Sequence, residues 1–201
     1  MMKGSDNHFK LLVTGVGGQG VLTITGLLGN SAMAAGLEVM VGQLHGMSQR
    51  GGDVSSTVVI GQANTSIIGK GEADVVVGLE PLEVMRALPQ ISSKTKVLLS
   101  NNKVMPFPMA FRGVAYPPLS EIIGKIKKFT DQIYEIDSLS LIKQIGSFQS
   151  LNFIMLGALT ALDVLPFEEK FLWETLKSRL KPELIELNKK AFMLGKEAIR
   201  V

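Results

Sequence analysis

Four glycines in the segment GVGGQG, residues 15–20, have the spacing of a turn that binds phosphate. Gly15, Gly17 and Gly20 satisfy the pattern G-x-G-x-x-G between an apolar strand and a helix. Glycine permits a tight turn and the close approach of a ligand, and the N–H groups at the start of a helix attract an anion. The candidate cofactor-binding residues of this segment are Gly15, Gly17, Gly18, Gln19 and Gly20.

The second strand decides which ligand this turn would suit. A dinucleotide site usually has an acidic residue just after that strand, and this residue hydrogen-bonds the ribose hydroxyls. Gly42 and Gln43 stand at this place, so the sequence argues against NAD or FAD. Two interpretations stay open. The turn binds a phosphate or pyrophosphate of another kind, or its glycines only allow the turn to pack closely on the helix.

The segment HGMSQRGG, residues 45–52, contains a second group of side chains that could bind a ligand or transfer a proton. His45 can exchange a proton near neutral pH, and Arg50 offers a fork of donors to a carboxylate or phosphate. Gly51 lets the chain turn sharply into the next strand. His45 and Arg50 are therefore candidate catalytic residues, and Arg50 and Gly51 candidate cofactor-binding residues. The alternative is that both side chains only satisfy backbone carbonyls.

Apolar runs predict the elements that must position these residues. The predicted strands are residues 10–14, 37–41, 53–61, 73–78, 95–101 and 131–137. The predicted helices are residues 21–36, 79–88 and 118–128, followed by a helical part from Leu139 onward.

The first strand, glycine turn, helix and second strand predict a parallel strand pair. No helix precedes the third strand, which favours an antiparallel placement. The fold class is therefore α/β with a mostly parallel, mixed sheet. Open sheets of this class bind ligands at the carboxyl ends of the strands, so HGMSQRGG and the glycine turn converge at one edge. No repeat or linker marks a boundary, which predicts one domain over residues 1–201.

The composition excludes several kinds of site. The sequence has no cysteine, which rules out disulfides, a thiolate nucleophile and cysteine-held zinc or iron–sulfur clusters in this chain. It has two histidines, so we expect no metal site. Apolar residues make up 46% of the chain, and we expect part of the surface to be buried against another chain.

Charge and hydropathy exclude two kinds of partner. The net charge is +3 and the basic residues are scattered, so nucleic acid is not expected. The N-terminal segment lacks the apolar core of a signal peptide, and the longest apolar run, residues 153–162, is too short to cross a membrane. We therefore expect a cytoplasmic protein without membrane contact.

Motifs of a self-sufficient enzyme are missing. The sequence has no thiamine diphosphate motif, no P-loop, no G-x-S-x-G and no paired metal-binding histidines. Glu80 and Glu83 lie at the start of a short helix, where acids usually cap the helix. The chain by itself does not look like a complete catalyst.

Small residues at helical spacing make one side of two helices thin. Such a side packs on the chain's own sheet or docks on a partner. The residues concerned are Gly26, Gly29 and Ala32 in the first helix and Gly157, Ala158 and Ala161 in a later one.

Five segments occur in a recognisable order: GVGGQG, HGMSQRGG, ADVVVGLEPLEVMRALP, NFIMLGALTAL and NKKAFMLG. Together, over about residues 9–194, they resemble the gamma subunit or gamma domain of 2-oxoacid:ferredoxin oxidoreductases. Within that family the chain is most similar to the branch that contains the beta subunit of indolepyruvate ferredoxin oxidoreductase. The pyruvate and 2-oxoglutarate branches usually carry other residues at HGMSQ, which favours the arylpyruvate branch.

The resemblance implies a three-layer α/β/α sandwich and a role in a larger enzyme. The family acts on the oxo group of a 2-oxoacid with coenzyme A, and gives acyl-CoA, carbon dioxide and reduced ferredoxin. Thiamine diphosphate, magnesium and [4Fe–4S] clusters would all lie on a larger partner subunit, so ferredoxin would be contacted only indirectly. This chain would be inactive alone and prone to self-association.

Carried onto this sequence, the resemblance places the contact surface at Gly15 to Gly20 and His45 to Gly52. Backbone N–H groups of the turn and the Arg50 guanidinium would then hold the phosphates of coenzyme A. The rival interpretations are a stand-alone nucleotide-binding or regulatory α/β protein and a purely structural subunit without a ligand.

Overall fold

The computed structural model describes residues 8–45, 52–105, 111, 113 and 115–199, and within them the chain forms six β-strands and seven α-helices. The strands are β1 (Phe9–Val16), β2 (Val39–His45), β3 (Asp53–Ile60), β4 (Val75–Gly78), β5 (Lys96–Ser100) and β6 (Ile133–Ile136). The helices are α1 (Val21–Ala34), α2 (Pro81–Arg86), α3 (Leu119–Ile126), α4 (Ser138–Ile145), α5 (Leu151–Ala161), α6 (Glu169–Arg179) and α7 (Pro182–Ala198).

All six strands belong to one mixed sheet in the order β2-β3-β1-β4-β5-β6. Strand β3 runs antiparallel to both of its neighbours, and the pairs from β1 to β6 are parallel. The predictions of a mixed sheet and of an antiparallel third strand are therefore confirmed.

The prediction that the first two strands pair with each other is wrong, because β3 lies between β1 and β2. Burial explains the order. Residues 56–60 of β3 are all buried, so this strand needs cover on both sides. Strand β2 instead exposes Met40 and Val41, which suits the edge of the sheet.

Alternate residues of β1 pack into two different cores, one on each side of the sheet. Leu11 and Val13 belong to the core that includes apolar residues of α1, α5, α6 and α7. Leu12 belongs to the core that contains Val84 of α2 and Ile122 of α3. Helices therefore cover both faces, and the predicted three-layer α/β/α arrangement is confirmed.

Helices α5 and α7 touch through two glycines. A Cβ atom on Gly157 would lie 1.9 Å from the backbone oxygen of Phe192, and one on Gly195 would lie 1.9 Å from that of Ile154. In α1, a Cβ atom on Gly29 would lie 2.9 Å from Val41 of β2. Gly29 thus packs on the chain's own sheet, whereas Gly157 packs on a neighbouring helix of the same chain.

Candidate functional site

The glycine turn connects β1 to α1, and its backbone requires glycine at two positions. Gly18 has φ +98° and Gly20 has φ +88°, both in the left-handed region that other residues rarely adopt. At Gly15, a Cβ atom would lie 2.9 Å from Oε1 of Gln19 and 3.1 Å from Cβ of Leu79. These positions have conformational and packing reasons for glycine that need no ligand.

Gln19 is buried and supports the turn from inside. Its Oε1 accepts a hydrogen bond from the backbone N–H of Val16 at 2.7 Å, and its Nε2 donates to the carbonyl oxygen of Leu79 at 3.2 Å. Its backbone N–H donates to the carbonyl oxygen of Val16 at 3.0 Å. The backbone N–H of Gln19 is thus already used within the chain.

Residues of the turn also line a groove of about 490 Å³. Within the part of the chain that the structure describes, the N–H groups of Gly18, Gly20 and Val21 have no hydrogen-bond acceptor. The first N–H groups of a helix have no partner inside it, and they carry the positive end of the helix dipole. The groove also touches Gln43 of β2 and Val54 of β3. The arrangement suits an anionic group.

Gly52, the last residue of HGMSQRGG, contacts the glycine turn. Val16 pairs with Asp53 and His45 with Val54, so β1 and β2 end at the same sheet edge. The backbone N–H of Gly17 donates to the carbonyl oxygen of Gly52 at 2.9 Å.

The candidate residues of that segment cannot all be placed. His45 is described by its backbone alone, at the end of β2. Arg50 and Gly51 lie outside the described residues. Their catalytic and binding roles stay predictions.

Asn152, near the start of α5, lies beside the turn and was not singled out by the sequence. A Cβ atom on Gly20 would lie 2.1 Å from Nδ2 of Asn152. Its Oδ1 is buried and has no hydrogen-bond partner among the described residues. No local pattern marks this asparagine, because Gly20 and Asn152 are far apart in the sequence.

A second cavity, of about 450 Å³, lies between the end of the sheet, the segment 66–68 and helix α2. It shares Gln43 and Val54 with the groove beside the turn. Its chemically able lining residues are Thr14, Asp53, Glu83 and Arg86. Sequence reasoning missed this cavity, since its residues come from five separate segments.

Glu80 caps α2, as the sequence predicts. Its side chain accepts hydrogen bonds from the backbone N–H of Glu83 at 3.1 Å, from that of Val104 at 3.3 Å and from the hydroxyl of Tyr116. The carboxyl group is fully buried, and burial raises its pKa despite these donors. Glu80 therefore holds the segment after β5 against the start of α2.

Glu83 does not cap the helix with its side chain, so the sequence-based prediction is wrong for this residue. Its carboxylate instead forms an ion pair with Nε of Arg86 at 3.0 Å and lines the second cavity. The residue is 3% exposed, and burial raises its pKa to about 7. The charge of Arg86 opposes this rise, while the charges of Glu80 and Asp53 add to it.

Two kinds of feature are absent from the described residues. No group of three or more histidine, aspartate or glutamate side chains there could hold a metal ion. None of the described helices is long and apolar enough to cross a membrane.

Known proteins resemble this chain in sequence. The sequence pattern of the family described as "Pyruvate ferredoxin/flavodoxin oxidoreductase" matches residues 10–198. A relative from Methanothermobacter thermautotrophicus, named indolepyruvate oxidoreductase subunit IorB, is 36% identical over 94% of this chain and 96% of its own length. A protein of the same name from Archaeoglobus fulgidus is 37% identical over 94% of each chain.

Solved structures have the same fold. The pyruvate oxidoreductase subunit PORC from Thermotoga maritima matches with a TM-score of 0.68 and 22% identity, over 96% of this chain and 97% of that one. A chain of the 2-oxoglutarate:ferredoxin oxidoreductase from Magnetococcus marinus matches with a TM-score of 0.77 and 21% identity, over 98% of this chain and 32% of that one. With the sequence match over nearly all of its length, the chain belongs to the pyruvate ferredoxin/flavodoxin oxidoreductase family.

Proposed function

We propose that this chain is the small subunit of a 2-oxoacid:ferredoxin oxidoreductase that acts on an arylpyruvate such as indolepyruvate. The relatives named indolepyruvate oxidoreductase subunit IorB, which match nearly end to end, support this substrate class. The reaction joins the acyl group of the oxoacid to the sulfur of coenzyme A, releases carbon dioxide and passes two electrons to ferredoxin.

The cofactors divide between subunits in this proposal. Thiamine diphosphate and iron–sulfur clusters supply the carbanion and electron-transfer chemistry when bound to a larger partner subunit. The sequence supports that division because it contains no cysteine to ligate a cluster. The present chain contributes walls and hydrogen-bond donors, and alone it is inactive.

The glycine-turn groove forms part of the coenzyme A wall in this proposal. The N–H groups of Gly18, Gly20 and Val21 hold the pyrophosphate at the start of α1. The observation that supports this assignment is the hydrogen bond from Gly17 to Gly52, because it joins the residue just before β3 to the turn. Arg50, two residues before Gly52, supplies a guanidinium for a second phosphate.

Substitution of Arg50 tests the assignment in the complex co-purified with its large subunit. A charge-assisted hydrogen bond contributes about 1.5–3 kcal/mol, so Arg50→Ala raises the KM for coenzyme A roughly 10- to 150-fold. Thiamine content stays unchanged. Arg179→Ala, which removes an exposed arginine from α6, is the matched control and leaves this KM unchanged. If Arg50→Ala prevents assembly without changing the KM of assembled enzyme, the segment is an interface element instead.

A further inference from the structure

Buried apolar side chains form part of the lining of the second cavity. Leu12 of β1 and Ala87, just after α2, line it together with Ile68, and all three side chains are otherwise buried. Ile67 lies at its rim with 73% of its surface exposed. The hydroxyl of Thr57 donates to the carbonyl oxygen of Ser66 at 2.7 Å, which fixes this segment against β3. The volume of about 450 Å³ falls within the usual range for small-molecule sites, about 300–1,000 Å³.

Two polar groups on residues that line this cavity are incompletely paired within the described part of the chain. The hydroxyl oxygen of Thr14 is buried and has no hydrogen-bond partner among the described residues, and the residue is 3% exposed. The Glu83 carboxylate has the Arg86 guanidinium as its ion-pair partner, but the side chain of Arg86 is 62% exposed. Buried polar groups are usually hydrogen-bonded, so an unpartnered hydroxyl on a residue that lines a cavity draws attention to that cavity as a binding site.

The lining of the cavity carries charges of both signs. An anion would meet the carboxylates of Asp53 and Glu83. A cation would meet the guanidinium of Arg86, which already accompanies Glu83. A neutral group that donates an N–H is compatible with both. The lining combines apolar side chains with several polar ones, which suits a ring that has polar atoms at its edge.

We infer that this cavity binds a flat nitrogen heteroaromatic ring, with the Glu83 carboxylate accepting the N–H at the ring's edge and the Thr14 hydroxyl bonding the same edge. Leu12, Ile67 and Ala87 contact the ring faces. Burying a ring in this way removes apolar surface from water and satisfies both polar groups at once.

Two sources could supply such a ring, and this step rests on the proposed function. One is the aromatic side chain of an arylpyruvate, and the other is the adenine base of coenzyme A. The cavity shares Gln43 and Val54 with the groove beside the glycine turn, so the two sites are neighbours.

Binding of indole and of adenine to the co-purified complex tests the inference without turnover. At least one of the two rings binds wild-type protein, as measured by saturation-transfer NMR titration. Glu83→Met, which keeps the side-chain length but removes the acceptor, weakens that binding at least tenfold. Thr14→Val, which keeps the shape, weakens it about 2- to 10-fold.

Two matched variants control for the substitutions themselves. Thr25→Val alters a buried threonine on the other side of the sheet, whose hydroxyl donates to the carbonyl oxygen of Val21 at 3.2 Å. Glu174→Met alters an exposed glutamate of α6. Both leave ring affinity within twofold of wild type. Should neither ring bind wild-type protein, or should Glu83→Met keep wild-type affinity, the inference is overturned.

The affinity for the ring also increases as pH rises, because the N–H donor of the ring binds the ionised form of Glu83 more strongly. With a pKa of about 7, the ionised fraction and hence the affinity rise about tenfold between pH 6 and pH 8. The charged groups that act on Glu83 are Arg86 and Glu80 on its own helix segment and Asp53 on β3. An affinity independent of pH contradicts the role of this carboxylate.

Michaelis constants identify the source of the ring. If Glu83→Met raises the KM for the arylpyruvate alone, the ring is the substrate's. If it raises the KM for coenzyme A alone, the ring is adenine. If it changes neither, the ring belongs to neither molecule and the inference is overturned. If Arg50→Ala does not raise the KM for coenzyme A, this result counts against the proposed function. It does not affect the inference that the cavity binds a ring.

Discussion

The buried carboxylate of Glu83 destabilises the fold above neutral pH, and its removal stabilises the chain. The pKa of this group is about 7 in the native chain against an ordinary value of 4.5. The native state therefore binds more protons than the unfolded state between these values, and stability falls as pH rises through this window. Each pKa unit corresponds to about 1.4 kcal/mol, so the full effect is about 3 kcal/mol.

Glu83→Gln keeps the shape of the side chain and removes its charge. We expect this variant to gain about 2–3 kcal/mol more over wild type at pH 8.5 than at pH 5, since wild-type Glu83 is mostly protonated in the native chain at pH 5. The gain is measured by urea unfolding at one protein concentration. Fluorescence of Trp173, the chain's single tryptophan, follows the transition, and its ring packs edge-on against Phe192 at 4.7 Å.

The refuting result is clear in this design. If Glu83→Gln is less stable than wild type at pH 8.5, or if its advantage is equal at both pH values, the carboxylate is not held in an unfavourable site. Glu174→Gln, which changes an exposed glutamate on α6, serves as the control. Its stability relative to wild type stays nearly constant between the two pH values.

Two further predictions concern glycines. Gly18→Ala raises the KM for coenzyme A in the complex, because a methyl group enters the groove and the backbone at φ +98° is strained. Gly36→Ala has a similar strain at φ +77° and equally open space, but it lies outside the groove; an equal effect of both variants would contradict the assignment. Gly157→Ala lowers the midpoint of thermal unfolding by several degrees or more, because its Cβ atom would overlap the backbone of Phe192. Gly26→Ala, with nothing within 4 Å, is the matched helix control, and equal midpoints for the two variants would refute the packing argument.

Periodicity and glycine placement were enough to predict the class of fold. The buried runs of β1 and β4 and the helical run from α4 to α7 depend on local patterns that the sequence displays directly. The position of β3 could not be read in the same way. It depends on how residues 56–60 are buried against strands that lie far away in the sequence.

The candidate site, like the fold, could be predicted from the sequence only in part. The meeting of the glycine turn with the end of HGMSQRGG follows from the rule that strand ends share a sheet edge, and the bond from Gly17 to Gly52 agrees with it. The side chain of Glu83 was misjudged because its position near the start of a helix resembles that of a cap. Only the packing of α2 against β1 reveals that Glu83 lines a cavity.

The close crossing of α5 and α7 makes the support of the glycine turn depend on a helix far along the chain. Asn152 of α5 lies against Gly20, and α5 is held by α7 through Gly157 and Gly195. Because a polypeptide emerges from the ribosome N-terminus first, β1 and the turn leave it long before this support exists. A chain that stops before α7 would therefore lack this support for the turn, although all residues of the turn itself are present.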